Sequence, residues 1–526
     1  MKRILHYLKR KSIENSSNKW MSLLIFIGLG LSSTIWFLVR VVPKPSRAAY
    51  PCMQAAAPFI STFVIYLLSL WGGLKAFNKS KRSIQQGKYG LATCFVLTGL
   101  IFGLVFTFNN MNDLVASIAA TNQKTAIFML SPNSPYGEAK GIFPGRVAWI
   151  YAPNTAKWDE QNGFWFEDRW NSQNNCDRLM QQSLLTLTGK TTEKEAWEAL
   201  FAHFNRGKGK GQSYQKGEKI AIKINQNNTY SHEDSEELNA SPHLTLSLLR
   251  SLVKEAGVPQ EQITVFDASR FITNFLYNKC ASEFPHVKYV DNSGGNGRGK
   301  STYLSNAMKY SADNGKLATG MVTCLTEATY VINFALLKGH VGQGVTLCGK
   351  NWYGVLDIDA DWRKNAHNNF DQNRKGNAQY MTFVDFMGHQ LTGEKTLLYM
   401  IDGLYGSEKV NGKPSGKWKL SPFNGSWPNS LFASQDPIAI DAVGLDFLSS
   451  EWPAMVDINY ADMYLYEAAL ANNPPSKTFY DPEKDGIRLK SLGVVEHWNN
   501  PAEKKYSRNH DKNEGIELVF KQIADK

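Results

Sequence analysis

An apolar run of strand length, Tyr330-Val-Ile-Asn-Phe-Ala-Leu-Leu337, has no polar side to offer to solvent. A half-exposed strand alternates, and this one does not. Both of its faces must therefore be covered, as in the middle of a parallel sheet flanked by helices. The run breaks into Lys338-Gly339-His340 and continues through Gly342, Gly344 and Gly349 to Lys350-Asn351. Glycines at such a break let backbone approach a ligand closely. The carboxyl ends of strands in open α/β sheets are where ligands bind, so residues 331–356 are the expected centre of both fold and site.

The segments on either side support that sheet. Lys219–Asn225 alternates and reads as a strand, and Ser241-Pro242 caps a helix running to Glu255. Leu244, Leu248, Leu249 and Leu252 share one face of that helix, and Gly257 stops it. The next strand, Ile263–Phe266, ends at Asp267. Strand, helix, strand is a βαβ unit, which requires parallel pairing. Further strands are expected at 145–153, 287–290, 396–401 and 431–433, with helices at 193–204 and 438–448. The expected fold is α/β, a mainly parallel sheet with flanking helices.

Polar residues recur just past these strands: Asn225, Asp267, Lys338 with His340, Asp402 and Asp436. A parallel sheet brings such ends together, so they are read as one site. His340, Lys338, Lys350 and Asp267 form the expected catalytic set, in which the lysines hold an anionic substrate and His340 acts as general acid–base or metal ligand. Lys223, Asn225, Arg270, Asn351, Asp402 and Asp436 are the expected substrate contacts. The competing explanation is that Asp, Asn and Gly are ordinary residues of turns and helix caps.

Charge and cysteine content remove several function classes. The net charge of +11 is concentrated in residues 1–89, where 14 Lys and Arg face one acidic residue, Glu14. The remainder holds 44 basic and 46 acidic residues, so the body has no cationic excess for phosphate backbones, and nucleic acid is excluded as a partner. The six cysteines are scattered without a C-x-x-C pair, which argues against an iron–sulfur cluster or a structural zinc site.

Three uncharged apolar runs, Trp20–Val39, Ala55–Leu74 and Gly90–Phe108, each reach the length that spans a hydrocarbon core. Basic residues crowd the N-terminal arm and the second connection, which predicts a cytoplasmic N-terminus and a periplasmic or extracellular body. The expected organisation is a membrane anchor over 1–109, a linker over 110–140 and an α/β body over 141–526. The expected location is the bacterial inner membrane, with the lipid bilayer as a partner.

Three motifs compete for the chemistry. Gly294–Ser301 matches the phosphate-loop pattern, but the following residues start a helix poorly, and a turn is the better reading. Asp357–Asp361 and Asp481–Gly486 carry calcium-loop spacing without the full ligand set, and read as turns. His340, His367 and His389 are the histidines nearest the central stretch and make a divalent metal a candidate cofactor.

The combination Ile222-Lys-Ile-Asn225, Ile263–Asp267, Leu337–His340, Gly344–Asn351 and Ser434–Ala442 resembles the DUF362 family, a group of bacterial and archaeal proteins, some with a ferredoxin module. The resemblance covers about residues 221–448, with 449–526 an extension. It implies the α/β fold but no established reaction. Ferredoxin cysteines are missing here, so any redox or pathway partner would be a separate chain. The central segment is also similar to the histidine–glycine–lysine segment of nickel-pincer lactate racemases, which implies racemase-like proton transfer. Two functions therefore remain: an enzyme acting on a small anionic substrate, or a binding protein whose lysines and aromatics (Trp352, Tyr353, Trp427) hold a glycan or an anion.

Overall fold

The computed structural model describes residues 131–524, apart from 207, 210, 212, 228, 314–317, 341–343, 358–378 and 454–457, together with scattered residues between 32 and 93. The chain divides into two units, Met1–Thr125 and Ala126–Lys526. In the first unit, Lys79, Ser80, Lys81 and Ser83 are helical, and the N–H groups of Gln86 and Lys88 donate to the Ser83 carbonyl.

No helix among the described residues is long and apolar enough to cross a membrane. This overturns the expectation of a multi-pass inner-membrane protein with a periplasmic or extracellular body. The three runs on which it rested fall almost entirely outside the described residues. Run length alone does not separate a spanning helix from one buried in protein.

In the second unit, ten strands among the described residues form one sheet. In chain order they are β1 (Arg146–Tyr151), β2 (Ile220–Lys223), β3 (Ile263–Asp267), β4 (Lys288–Asp291), β5 (Gly299–Lys300), β6 (Tyr330–His340), β7 (Gly344–Val345), β8 (Thr396–Ser407), β9 (Ser430–Ser434) and β10 (Glu517–Gln522). The spatial order is β10-β1-β9-β8-β6-β2-β3-β4-β5, with β7 folded back antiparallel on β6. Along that path β9 pairs antiparallel with both neighbours, and every other pairing is parallel. The sheet is thus mainly parallel, with one reversed strand.

Alternation along the strands fills two cores. On β1, Val147, Trp149 and Tyr151 enter the first, and Ala148 and Ile150 the second. On β6, Val331, Ala335 and Leu337 face the first core, while Tyr330, Ile332 and Phe334 face the second. Both sides of β6 are sealed, which is why its sequence reads as a continuous apolar run.

Helices cover each face. The second core is closed by α1 (Gln173–Thr188), α2 (Glu193–Arg206), α3 (Pro242–Arg250) and α4 (Asn274–Glu283). The first is closed by α5 (Cys348–Asn351), α6 (Thr382–Gly388), α7 (Pro437–Glu451) and α8 (Ile458–Ala469). Helix α3 begins where the sequence placed it: the Ser241 hydroxyl accepts from Leu244 N, Pro242 opens the first turn, and a π turn carries the chain to Glu255.

Candidate functional site

The carboxyl ends of β2, β3 and β6 meet α5 and the turn after it around a cavity of about 220 Å³. Lys223, Asn225, Asp267, Arg270, His340, Lys350 and Asn351 all line it. Asn227, Tyr230, Ser269, Thr346, Tyr353, Gly354, Val410 and Asn411 complete the wall.

The floor is a buried polar network. Lys223 is 1 % exposed, and its Nζ lies 2.6 Å from the Ile224 carbonyl, 3.1 Å from Asn351 Oδ1 and 3.2 Å from Asp267 Oδ2. Two of these contacts are hydrogen bonds and the third is an ion pair, so the ammonium is held from three sides. Burial pushes the Lys223 pKa down, the Asp267 carboxylate opposes that, and Arg270 pushes it down further. Asp267 in turn accepts from Gln226 N (2.8 Å), Ser269 N (3.1 Å) and Ser269 Oγ (3.0 Å). With Lys223 added, both carboxylate oxygens are committed. Removing either member of such a buried pair costs about 3–5 kcal/mol, because the other is left uncompensated.

Asn351 is the hub. Its Oδ1 accepts from Lys223 and from Asn225 Nδ2 (3.2 Å), and its Nδ2 donates to Asn333 Oδ1 (2.8 Å) and to the Lys223 carbonyl (3.2 Å). Asn333 sits beside Lys223 in the β2–β6 register and donates to the Cys348 carbonyl at 3.0 Å. Sequence reasoning missed it, although an amide inside an apolar run was a visible signal. Asp441 was missed too. From α7 its carboxylate accepts from Cys348 N (2.8 Å) and Gly349 N (2.7 Å), and so fixes the start of α5, which carries Lys350 and Asn351.

Above this floor stand the cations. The Lys350 ammonium lies 4.0 Å from the centre of the Tyr353 ring, and the Arg270 guanidinium 5.1 Å from that of Tyr230. Arg270 also donates to the carbonyls of Asn227 (2.6 Å) and Ser269 (2.8 Å), which aims it from the end of β3. His340, half-buried, closes β6 at the cavity wall.

Three expected site residues are not brought into the cavity. Lys338 and Asp402 share the parity of β6 and β8 residues that face the second core, so both point to the opposite side of the sheet. The Lys338 ammonium donates to the carbonyls of Leu238 (2.9 Å) and Val410 (3.3 Å), and burial pushes its pKa down to about 7. Asp402 accepts from Ser241 N (2.8 Å) and Leu404 N (3.0 Å), tying down the start of α3, and burial raises its pKa to about 7. Asp436 follows β9, the reversed strand, so it lies at the other edge of the sheet. There it caps α7, accepting from Ile438 N (3.0 Å) and Ala439 N (2.9 Å).

Nor do the described residues assemble the expected metal centre. His389 Nε2 lies 2.9 Å from the Ala307 carbonyl, and its Nδ1 accepts from Leu391 N at 3.0 Å, so both ring nitrogens are engaged. Burial pushes its pKa down to about 4. His367 lies outside the described residues. Among the described residues, no group of three or more His, Cys, Asp or Glu is placed to hold a metal ion.

The phosphate-loop look-alike is filled from within. The N–H groups of Ser293 and Gly294 donate to Asp291 Oδ1 at 3.1 and 2.7 Å, and Gly299–Lys300 continues as a strand rather than a helix. Asp481 accepts from Asp485 N and Gly486 N, closing its loop as a turn, while 358–361 of the other calcium-like loop lie outside the described residues. Trp352 and Trp427 are buried in the two cores and offer no face for a glycan.

Residues 220–446 match the family DUF362, described as a domain of unknown function. No curated protein and no solved structure matches the chain.

Proposed function

We propose, for a chain whose residues 220–446 are a DUF362 domain, that the cavity at the carboxyl edge of the sheet binds a small anion and that His340 is its acid–base group. The observation that carries this reading is the charge balance of the lining. Among the described residues that line it, Lys223, Arg270 and Lys350 stand with one carboxylate, Asp267, whose oxygens accept from Gln226 and Ser269 and pair with Lys223. These cationic side chains line a space of about 220 Å³, below the roughly 300 Å³ at which drug-sized ligands begin to fit. A small carboxylate or a single phosphate group suits it. Among the described lining residues, His340 is the one whose side chain ordinarily gains and loses a proton near neutral pH, which suits it to acid–base work. It would take one from the carbon next to a bound carboxylate and return it, with the developing charge held by Arg270 and Lys350.

The pairing of Lys223 with Asp267 favours a second reading, a binding protein without turnover. Calorimetric titration of the full chain with acetate and inorganic phosphate tests the shared claim. Lys350→Met and Arg270→Met are each expected to weaken binding about tenfold, the worth of one charge-assisted hydrogen bond. Unchanged affinity in both variants sinks the anion site. Deuterium wash-in at the carbon next to the carboxylate, followed by NMR in D2O, separates the two readings. The enzyme incorporates deuterium and His340→Ala does not, while still binding; a binding protein incorporates none.

A further inference from the structure

Lys338 is fully buried on the face of the sheet away from the cavity, yet it acts on the cavity wall. Its ammonium donates to the Leu238 and Val410 carbonyls at 2.9 and 3.3 Å. These belong to two segments far apart in sequence that are also joined directly. Leu238 N donates to the Gly412 carbonyl at 2.9 Å, and Gly412 N donates to Glu237 Oε2 at 2.7 Å. Val410 and Asn411, inside the clamped segment, line the cavity. Glu237 is the carboxylate that acts on the Lys338 charge.

A methionine of similar length would fill the same apolar space without stripping water from a charge. A buried lysine donates to the main-chain carbonyls instead, and in its protonated form those hydrogen bonds are charge-assisted and roughly twice as strong as neutral ones. Whatever the chain gains from that lysine is gained at the two segments it holds.

We propose that Lys338 is a positioning residue for the cavity: reaching from the opposite face of the sheet, it fixes the 408–412 segment so that Val410 and Asn411 form the wall. The effect on ligand rests on the anion-site reading above; the tether itself does not.

The test combines hydrogen–deuterium exchange on the ligand-free full chain with calorimetric titration of inorganic phosphate. Lys338→Met is expected to raise exchange about tenfold in peptides covering 237–239 and 408–412, to leave β3 and α1 unchanged, and to weaken phosphate binding about tenfold. Lys338→Arg, which restores charge and donors, should recover both. Lys350→Met should weaken phosphate binding without altering exchange at 408–412. If Lys338→Met fails to fold, Lys338→Gln supplies the same comparison, keeping an amide donor but no charge. Unchanged exchange at 408–412 overturns the proposal, and so does raised exchange with wild-type affinity. If the wild-type chain binds no phosphate, the anion site falls, and exchange alone decides whether the tether stands.

Discussion

Gly354 shows how closely a single position controls the cavity. A Cβ built there would stand 2.9 Å from Lys223 Nζ and 3.0 Å from Asp267 Oδ1, against both residues of the buried pair. Neither partner has room to retreat, because Lys223 is bonded to Ile224 and Asn351, and Asp267 to Gln226 and Ser269. Gly354→Ala is therefore expected to weaken phosphate or acetate affinity by about tenfold, roughly 1.4 kcal/mol. Its stability loss should stay in the range of about 1–3 kcal/mol usual for an overpacked site. Calorimetry and denaturant titration measure the two effects, and full affinity in this variant would mean the pair does not shape the site. The sequence displayed Gly354 among many glycines. Only the approach of Lys223 from another strand marks it out.

At the scale of elements, the C-terminal extension is pinned to α7 and α8 through one imidazole. His497 Nδ1 lies 2.5 Å from Asp446 Oδ1 on α7, and Nε2 lies 3.0 Å from Asp462 Oδ1 on α8. The second contact is an ion pair without hydrogen-bond alignment. Tyr506 OH and Trp498 N donate to the other Asp446 oxygen at 2.8 and 3.0 Å. Burial by itself would push the imidazole pKa down, but Asp446 and Asp462 outweigh it and hold the pKa well above the ordinary value. The folded chain therefore keeps this proton at pH values where the unfolded chain has released it. The stabilisation is complete below about pH 6.5, the unfolded value, and is lost as pH rises through the folded value. His497→Gln should lower the melting temperature most at pH 6, with the gap to wild type closing in alkaline buffer. A gap independent of pH would show that packing, not charge, holds the extension.

At the scale of the whole molecule, the family segment does not coincide with the folding unit. Residues 220–446 contain β2 through β9, but β9 pairs with β1 from before the segment, and β1 pairs with β10 from near the C-terminus. Asp436 also accepts from Lys140 N at 2.8 Å and Val494 N at 3.2 Å, tying both flanks to the start of α7. A fragment of residues 220–446 would expose the β9 edge and part of the second core, including the surfaces that α1 and α2 cover. It is expected to aggregate or to melt without a cooperative transition, whereas residues 131–526 should melt cooperatively. Circular dichroism melts and size-exclusion chromatography distinguish the two outcomes. A cooperative, monomeric 220–446 fragment would make the flanks dispensable.

By itself the sequence determined the α/β class, the parallel pairing around β6 and the strand ends that border the cavity, because apolar periodicity and βαβ order are local properties of the chain. Seven of the expected residues, Lys223, Asn225, Asp267, Arg270, His340, Lys350 and Asn351, do line one cavity. Three distinctions belonged to the tertiary structure. A strand end names an edge of the sheet but not a face, and side-chain parity sent Lys338 and Asp402 to the second core. The direction of β9 relative to its neighbours put Asp436 at the far edge, where it became a helix cap. The hub Asn333–Asn351–Lys223 exists only because two parallel strands come into register and α7 fixes α5 above them. Spacing along a chain carries no information about register between strands or about which helix covers which face. Those are settled when the two cores close.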